Sequence, residues 1–323
     1  MKCPICGHFG NELLRREGGL SESSTFGVGR FECRKCDFIY SDFIDPEVLK
    51  LFYNTLSRAR TPENIAEIRS QARENGESQL QTLKPFIRTK IGRVLDFGGG
   101  YGEAAKLYLP FSDEVYIVEE DESCHKVIAE NSNLKLLTSS ELDQKKYIGY
   151  FDLIIFSNVL EHMTQPMHQI QKFSRILSGE GTLFIEVPCE AEMLKKSGVH
   201  GRQHVGFYNV KNFQLLIENQ GSFDVLDIRR CGASVNEIMK TRSHTHDYAR
   251  QYTPDGYEIR AVLRNQRPKA EFLDMTYDRE DKKAIMNSLS NGLFRFAQDF
   301  HLQRNDRGNY EEKKMRHGLI EDH

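Results

Sequence analysis

Between residues 93 and 265, short runs of β-branched and apolar residues alternate with stretches whose apolar positions recur every three to four residues. That alternation predicts a parallel sheet whose strands are joined by crossover helices. Strands are expected at 94–97, 115–119, 134–137, 151–157, 182–187, 223–228 and 257–263, and helices at 103–109, 124–131, 167–177 and 210–219. Central strands of such a sheet are covered on both faces, so they read as nearly unbroken apolar runs. Phe151-Asp152-Leu153-Ile154-Ile155-Phe156 has that character.

The flanks read differently. Residues 41–84 are polar with spaced apolar positions, among them Leu49, Phe52, Leu56, Ile65, Ile68, Leu80 and Leu83, which predicts a helical bridge or cap interrupted near Pro62 and Gly76. Residues 266–323 are charged, with an apolar cluster at Ile285, Leu289, Leu293, Phe294 and Phe296, and predict a helical extension solvated from about residue 305. Its apolar cluster would pack on the sheet domain or form a homodimer contact. The expected division is therefore 1–40, 41–84, 85–265 and 266–323. Within the third part, residues 231–256, with His244, His246 and Asp247, read as a lid or insertion near a substrate.

Charge then narrows the partners. The 323-residue chain carries 44 Lys and Arg against 47 Asp and Glu, a net charge of -3. No cationic excess is available to hold a polyanion, which disfavours nucleic acid. Apolar runs fall well short of the roughly 20 residues that span a bilayer, and Met1-Lys2-Cys3-Pro4 opens no apolar signal core. The expectation is a cytoplasmic protein without a membrane partner.

Seven cysteines without a secretory signal point to metal ligation or burial rather than disulfides. Cys3-x-x-Cys6 and Cys33-x-x-Cys36 supply two turns that can converge four thiolates on one zinc ion. Gly7 frees the first turn, while Arg34 and Lys35 offset the negative charge of the second. A closed four-thiolate shell leaves no position for water, so the ion organises the fold and does no chemistry.

Val94-Leu95-Asp96-Phe97-Gly98-Gly99-Gly100-Tyr101-Gly102 runs from an apolar strand into an expected helix, where glycines let the backbone turn sharply and approach a ligand. Gly100-Tyr101-Gly102-Glu103-Ala104-Ala105 also satisfies the dinucleotide pattern G-x-G-x-x-A. The acid just before the glycines separates the two readings. Asp96 would repel a pyrophosphate and hold the ammonium of a cofactor that carries an amino acid. Glu119, at the end of the next strand, is placed to accept ribose hydroxyls.

With these features the chain resembles the class I S-adenosylmethionine-dependent methyltransferases. The resemblance covers roughly residues 93–229 and rests on Asp96-x-Gly98-x-Gly100-x-Gly102, on Glu119, and on the block from Phe151 through Ser157-Asn158-Val159-Leu160-Glu161-His162. The resemblance implies an α/β fold, a doubly wound Rossmann-like sheet, here with an amino-terminal zinc ribbon and a carboxyl-terminal helical extension. It implies that Gly98, Gly100 and Gly102 pass under the methionine part of S-adenosylmethionine, with Ser157 and Asn158 beside it and residues 138–142 near adenine. The amino-terminal knuckles and His204-Val205-Gly206-Phe207-Tyr208 are similar to zinc-ribbon methyltransferases of sugar and natural-product modification.

Methyl transfer from a sulfonium needs alignment of the nucleophile and removal of its proton. His204 is the first candidate base, with His200 and Glu186 in reserve. Sugar carbon-methyltransferases of similar layout carry Tyr-x-Glu-His where this chain reads Gly201-Arg202-Gln203-His204, so transfer to a hydroxyl is favoured over an amine or carbon. The acceptor implied is a small metabolite such as a nucleotide-linked sugar, whose phosphate Arg202 can meet. Competing readings are an RNA methyltransferase docked by its ribbon, a non-catalytic S-adenosylmethionine-binding protein and a NAD-linked dehydrogenase.

Overall fold

The computed structural model describes residues 2–17, 28–41, 61–197, 204–241, 247–266, 302–304 and 310–312. Seven strands form one mixed sheet: β4 (Ile91–Phe97), β5 (Ser112–Val118), β6 (Leu134–Leu137), β7 (Phe151–Ser157), β8 (Leu177–Pro188), β10 (Phe223–Ser234) and β11 (Gly256–Asn265). Their order is β10-β11-β8-β7-β4-β5-β6. All seven expected strands are present. The sheet is not all parallel, because β11 runs antiparallel to both β8 and β10. Hydrophobic periodicity carries no direction, so it could not show this reversal.

Burial on both faces explains the apolar runs. Leu95, Phe97, Ile154, Phe156, Ile185 and Val187 point to one face, where α3 (Pro166–Ile176) and α5 (Val210–Glu218) bring Ile170, Phe173, Phe213 and Leu216. Val94, Ile117, Leu153, Ile155 and Phe184 point to the other, against Leu83, Tyr108 and Ile128. The sides of that second face are α1 (Pro62–Leu83) and α2 (Glu122–Ala129).

Pro62 begins α1, and Thr61 Oγ1 caps it by accepting the Asn64 N–H at 3.3 Å. The expected break at Gly76 does not occur. A Cβ on Gly76 would lie 2.8 Å from the Ala104 Cβ and 2.9 Å from its Cα, so the glycine permits close packing within a continuous helix. The expected helix at 103–109 is also corrected. Residues Ala105–Phe111 form a 3-10 helix containing Pro110, whose missing N–H and ring disfavour a regular α-helix there.

The amino-terminal cysteines sit on a four-stranded antiparallel sheet, β1 (Asn11–Glu17), β2 (Val28–Cys33), β3 (Ile39–Ser41) and β9 (Gly206–Phe207). Its fourth strand comes from the sheet domain, with Ile39 opposite Phe207 and Tyr40 opposite Gly206. Residues Met1–Phe272 accordingly form one compact unit and Leu273–His323 another. In the second unit, β12 (Leu302–Arg304) and β13 (Tyr310–Glu312) pair antiparallel, so strands stand where the end of the helical extension and its solvated tail were expected. The apolar cluster at 285–296 and the homodimer contact built on it lie outside the described residues, as does the region 42–60. Two further helices, α4 (Ala191–Ser197) and α6 (Val235–Thr241), follow β8 and β10. No described helix is long and apolar enough to cross a membrane.

Candidate active site

The chain leaves β4 between its neighbours β5 and β7, the point at which the strand order reverses. Crevices at such switch points, outside the carboxyl ends of the strands, are where open α/β sheets bind ligands. Gly98, Gly100 and Gly102 bend the chain there at φ of 80°, 53° and 76°. A Cβ on Gly98 would stand 2.3 Å from Val159 Cγ2, so the bend packs on the residues after β7. A Cβ on Gly100 would meet nothing within 4 Å, which leaves that stretch of backbone open to a ligand.

Two carboxylates guard the bend. Glu119 accepts the Gly100 N–H on Oε2 and the Asp121 N–H on Oε1, both at 2.8 Å. Each oxygen keeps a lone pair for a hydroxyl. Glu119 is thus part of the loop rather than a solvated member of an acidic run. Asp96 is 4% exposed, and its Oδ2 has no hydrogen-bond partner among the described residues. Burial, reinforced by the charge of Glu119, raises Asp96 to about 7. An orphaned buried acid beside an open glycine bend fits the amino group of an amino-acid-bearing nucleoside. In segment 138–142, expected near adenine, Leu142 belongs to the core and Thr138 N–H donates to Glu141 Oε2 at 2.7 Å.

Glu186 is fully buried on β8, opposite Arg260 of β11 in the strand register. Its Oε1 accepts from Asn75 Nδ2 at 2.8 Å, Gln79 Nε2 at 2.9 Å and Ser157 Oγ at 2.8 Å, and its Oε2 accepts from Arg260 Nε. Asn158 Nδ2 adds a longer contact at 3.3 Å. Burial alone would raise Glu186, but the Arg260 charge and these donors hold it below the usual carboxylate range. An ionised acid with its oxygens so occupied ties α1 to the sheet and is a poor proton acceptor, against its expected role as a reserve base. Ser157 is likewise committed, accepting from Gln79 Nε2 at 2.8 Å while donating to Glu186. Asn158 is exposed at φ 53°, at the lip of the crevice.

His204 lies beyond β7, 7% exposed, among acids. Its Nδ1 is 2.6 Å from Glu190 Oε2, and Glu190 Oε1 accepts from the Tyr257 hydroxyl at 2.6 Å. Its Nε2 stands 3.9 Å from Glu161 Oε1, and His162 Nε2 stands 3.6 Å from the same oxygen. Both separations exceed hydrogen-bond range. Glu161 is 1% exposed, with Oε2 unpartnered among the described residues, and burial raises it to about 7 although His204 pulls the other way. Burial disfavours a proton on His204, but the bond to Glu190 and the charges of Glu190 and Glu161 outweigh it and raise the imidazole above its ordinary range. Among the described residues, Glu161, His162 and His204 bring metal-ligand atoms within 4.8 Å of one another, as do the four cysteines of the amino-terminal sheet.

The cysteine pairs interlock, with Cys3 Sγ 3.6 Å from Cys36 and Cys6 Sγ 3.5 Å from Cys33. Disulfide sulfurs are about 2.05 Å apart. Two sulfurs each about 2.3 Å from one tetrahedral ion stand just under 4 Å apart, so the donor set suits a metal. His200 and Arg202 lie outside the described residues, as do His244 and His246, while Asp247 pairs with Arg250 at 2.6 Å. Sequence reasoning missed Glu190, Tyr257, Arg260, Asn75 and Gln79. One signal was available: Glu258 and Arg260 interrupt the otherwise apolar run 257–263 at alternate positions, and a buried charge requires a partner.

A family model described as a methyltransferase domain matches residues 58–227. No curated protein matches the chain. Similar solved structures include the N-methyltransferase NodS of Bradyrhizobium japonicum in complex with S-adenosyl-L-homocysteine, at 15% identity over 65% of this chain and 90% of that one, TM-score 0.41. Others are S-adenosylmethionine-dependent methyltransferases from Archaeoglobus fulgidus (17% identity, 60% and 94% covered, TM-score 0.45) and Mesorhizobium loti (13%, 58% and 98%, TM-score 0.42). Because the family match takes in more than half of the chain, the protein belongs to the S-adenosylmethionine-dependent methyltransferases.

Proposed function

We propose that the enzyme methylates a hydroxyl of a small, sugar-like metabolite, with His204 as the base. The observation that carries this reading is the Glu190–His204 contact. With Nδ1–H donated to Glu190, the neutral imidazole keeps a lone pair on Nε2, on the side of Glu161. A group so oriented is built to take a proton. Asp96, the Gly98–Gly102 bend, Glu119 and Asn158 would hold the cofactor, which supplies an electrophilic methyl on a sulfonium. Glu161 and His162 would complete the wall that the acceptor meets. Labelled methyl from S-adenosylmethionine should enter hydroxyls within a panel of sugars and nucleotide-linked sugars. Label entering transfer or ribosomal RNA instead would overturn the acceptor class, which the net charge of -3 already disfavours.

The four cysteines, in this reading, bind one structural zinc. Elemental analysis of purified protein should find about one zinc per chain. A folded, metal-free protein would contradict it.

A further inference from the structure

Arg30 lies on β2 of the cysteine-bearing sheet and is 1% exposed. Its Nη1 donates to the His204 carbonyl at 2.9 Å and also to Ser41 Oγ. Its guanidinium carbon stands 4.9 Å from the centre of the Phe207 ring. The next residue is gripped from both sides: Ser41 N–H donates to the Val205 carbonyl at 2.8 Å, and Val205 N–H donates to the Glu161 carbonyl at 2.8 Å. The main chain carrying the imidazole is therefore bonded to the cysteine-bearing sheet and to the turn Leu160–His162 that follows β7 at consecutive residues.

From this geometry we propose that Arg30 is a positioning residue for methyl transfer, through which the cysteine-bearing unit holds His204 against the acceptor. This rests on the reading of His204 as the base. The unit would then govern turnover and leave cofactor binding alone, since Arg30 grips the main chain of His204 whereas Asp96 and the bend lie at the end of β4. Electrostatics points the same way. Among the described residues, the charged or titratable groups facing His204 are Glu190, Glu161, His162 and Arg30, and Arg30 opposes the proton that the two acids favour.

Arg30→Met keeps most of the bulk and removes the donors and the charge. Misplacement of a catalytic group by about 1 Å can cost 100-fold, and a loss of about that size in kcat is expected. The Kd for S-adenosylhomocysteine should stay within about twofold, zinc content should be unchanged, and the acid limb of the pH–rate profile should move to higher pH. Arg30→Lys keeps the charge but not the fork, so it should leave the limb in place and recover only part of kcat. Wild-type kcat and limb in Arg30→Met would overturn the proposal, and so would loss of cofactor affinity in step with kcat. Should Arg30→Met fail to fold, wild-type kcat in Arg30→Lys overturns it alone. A fully active His204→Ala would remove the base assignment itself, whereas an inactive His204→Ala beside a normal Arg30→Met would remove only the role of Arg30.

Discussion

Asp96→Asn should bind S-adenosylhomocysteine roughly 100-fold more weakly than the wild type, a loss of about 3 kcal/mol for removing one member of a buried charge pair. The variant should not be less stable. Asp96 titrates higher in the fold than its ordinary 3.8, so its protonated form favours the folded state. That stability is present below about 3.8 and is lost as the pH rises through about 7. Above neutrality the ionised, unpartnered acid is a strain on the empty protein, and asparagine relieves it. Thermal unfolding without ligand should therefore occur at the wild-type temperature or above. The wild type should also lose affinity as the pH falls below about 7, because the ammonium needs the carboxylate, and Asp96→Asn should lose that dependence. Unchanged affinity in the variant would place the amino group elsewhere.

His204→Ala should lower kcat about 100- to 1000-fold, within the range for loss of a general base, with S-adenosylhomocysteine bound as before. The base must be neutral to accept a proton. Since Glu190 and Glu161 raise its pKa despite burial, activity in the wild type should fall off on the acid side from a point above the ordinary imidazole range. Single-turnover measurement across pH checks both statements. A variant that retains wild-type turnover would make His204 a structural residue of the β9 segment.

The fold was legible in the sequence to the extent that burial writes itself into periodicity. The inner strands β4, β5, β7 and β8 showed as apolar runs because both faces are covered, whereas β6 and β10, at the two edges, are partly exposed and mix apolar with charged residues. The ends were harder: β8 begins at Leu177 and β10 continues to Ser234, through glycine and charged residues that interrupt the apolar signal. Gly76 and Pro110 carried opposite lessons. The glycine, read as a break, is a contact point with Ala104, and the proline, passed over, is what disfavours an α-helix after the bend.

The glycine bend and the two acids proposed to hold the cofactor were legible for a related reason. Asp96, the three glycines and Glu119 are local, so their spacing carries the chemistry. On the proposed acceptor side, His204 was legible as a candidate base but its partners were not. Arg30, Glu190 and Tyr257 come from separate stretches of the chain, and only the fold gathers them around it. Glu186 illustrates the converse: a carboxylate at a strand end reads as a base until its partner on the adjacent strand is known.

The central claim is that the bend after β4 receives a nucleoside bearing an amino group and rejects a diphosphate. Calorimetric titration of the purified enzyme above neutral pH, with S-adenosylhomocysteine and with NAD in parallel, tests it most directly. Saturable heat with about one S-adenosylhomocysteine per chain and none with NAD is the result expected for one such crevice per sheet. Saturable heat with NAD alone would contradict the account.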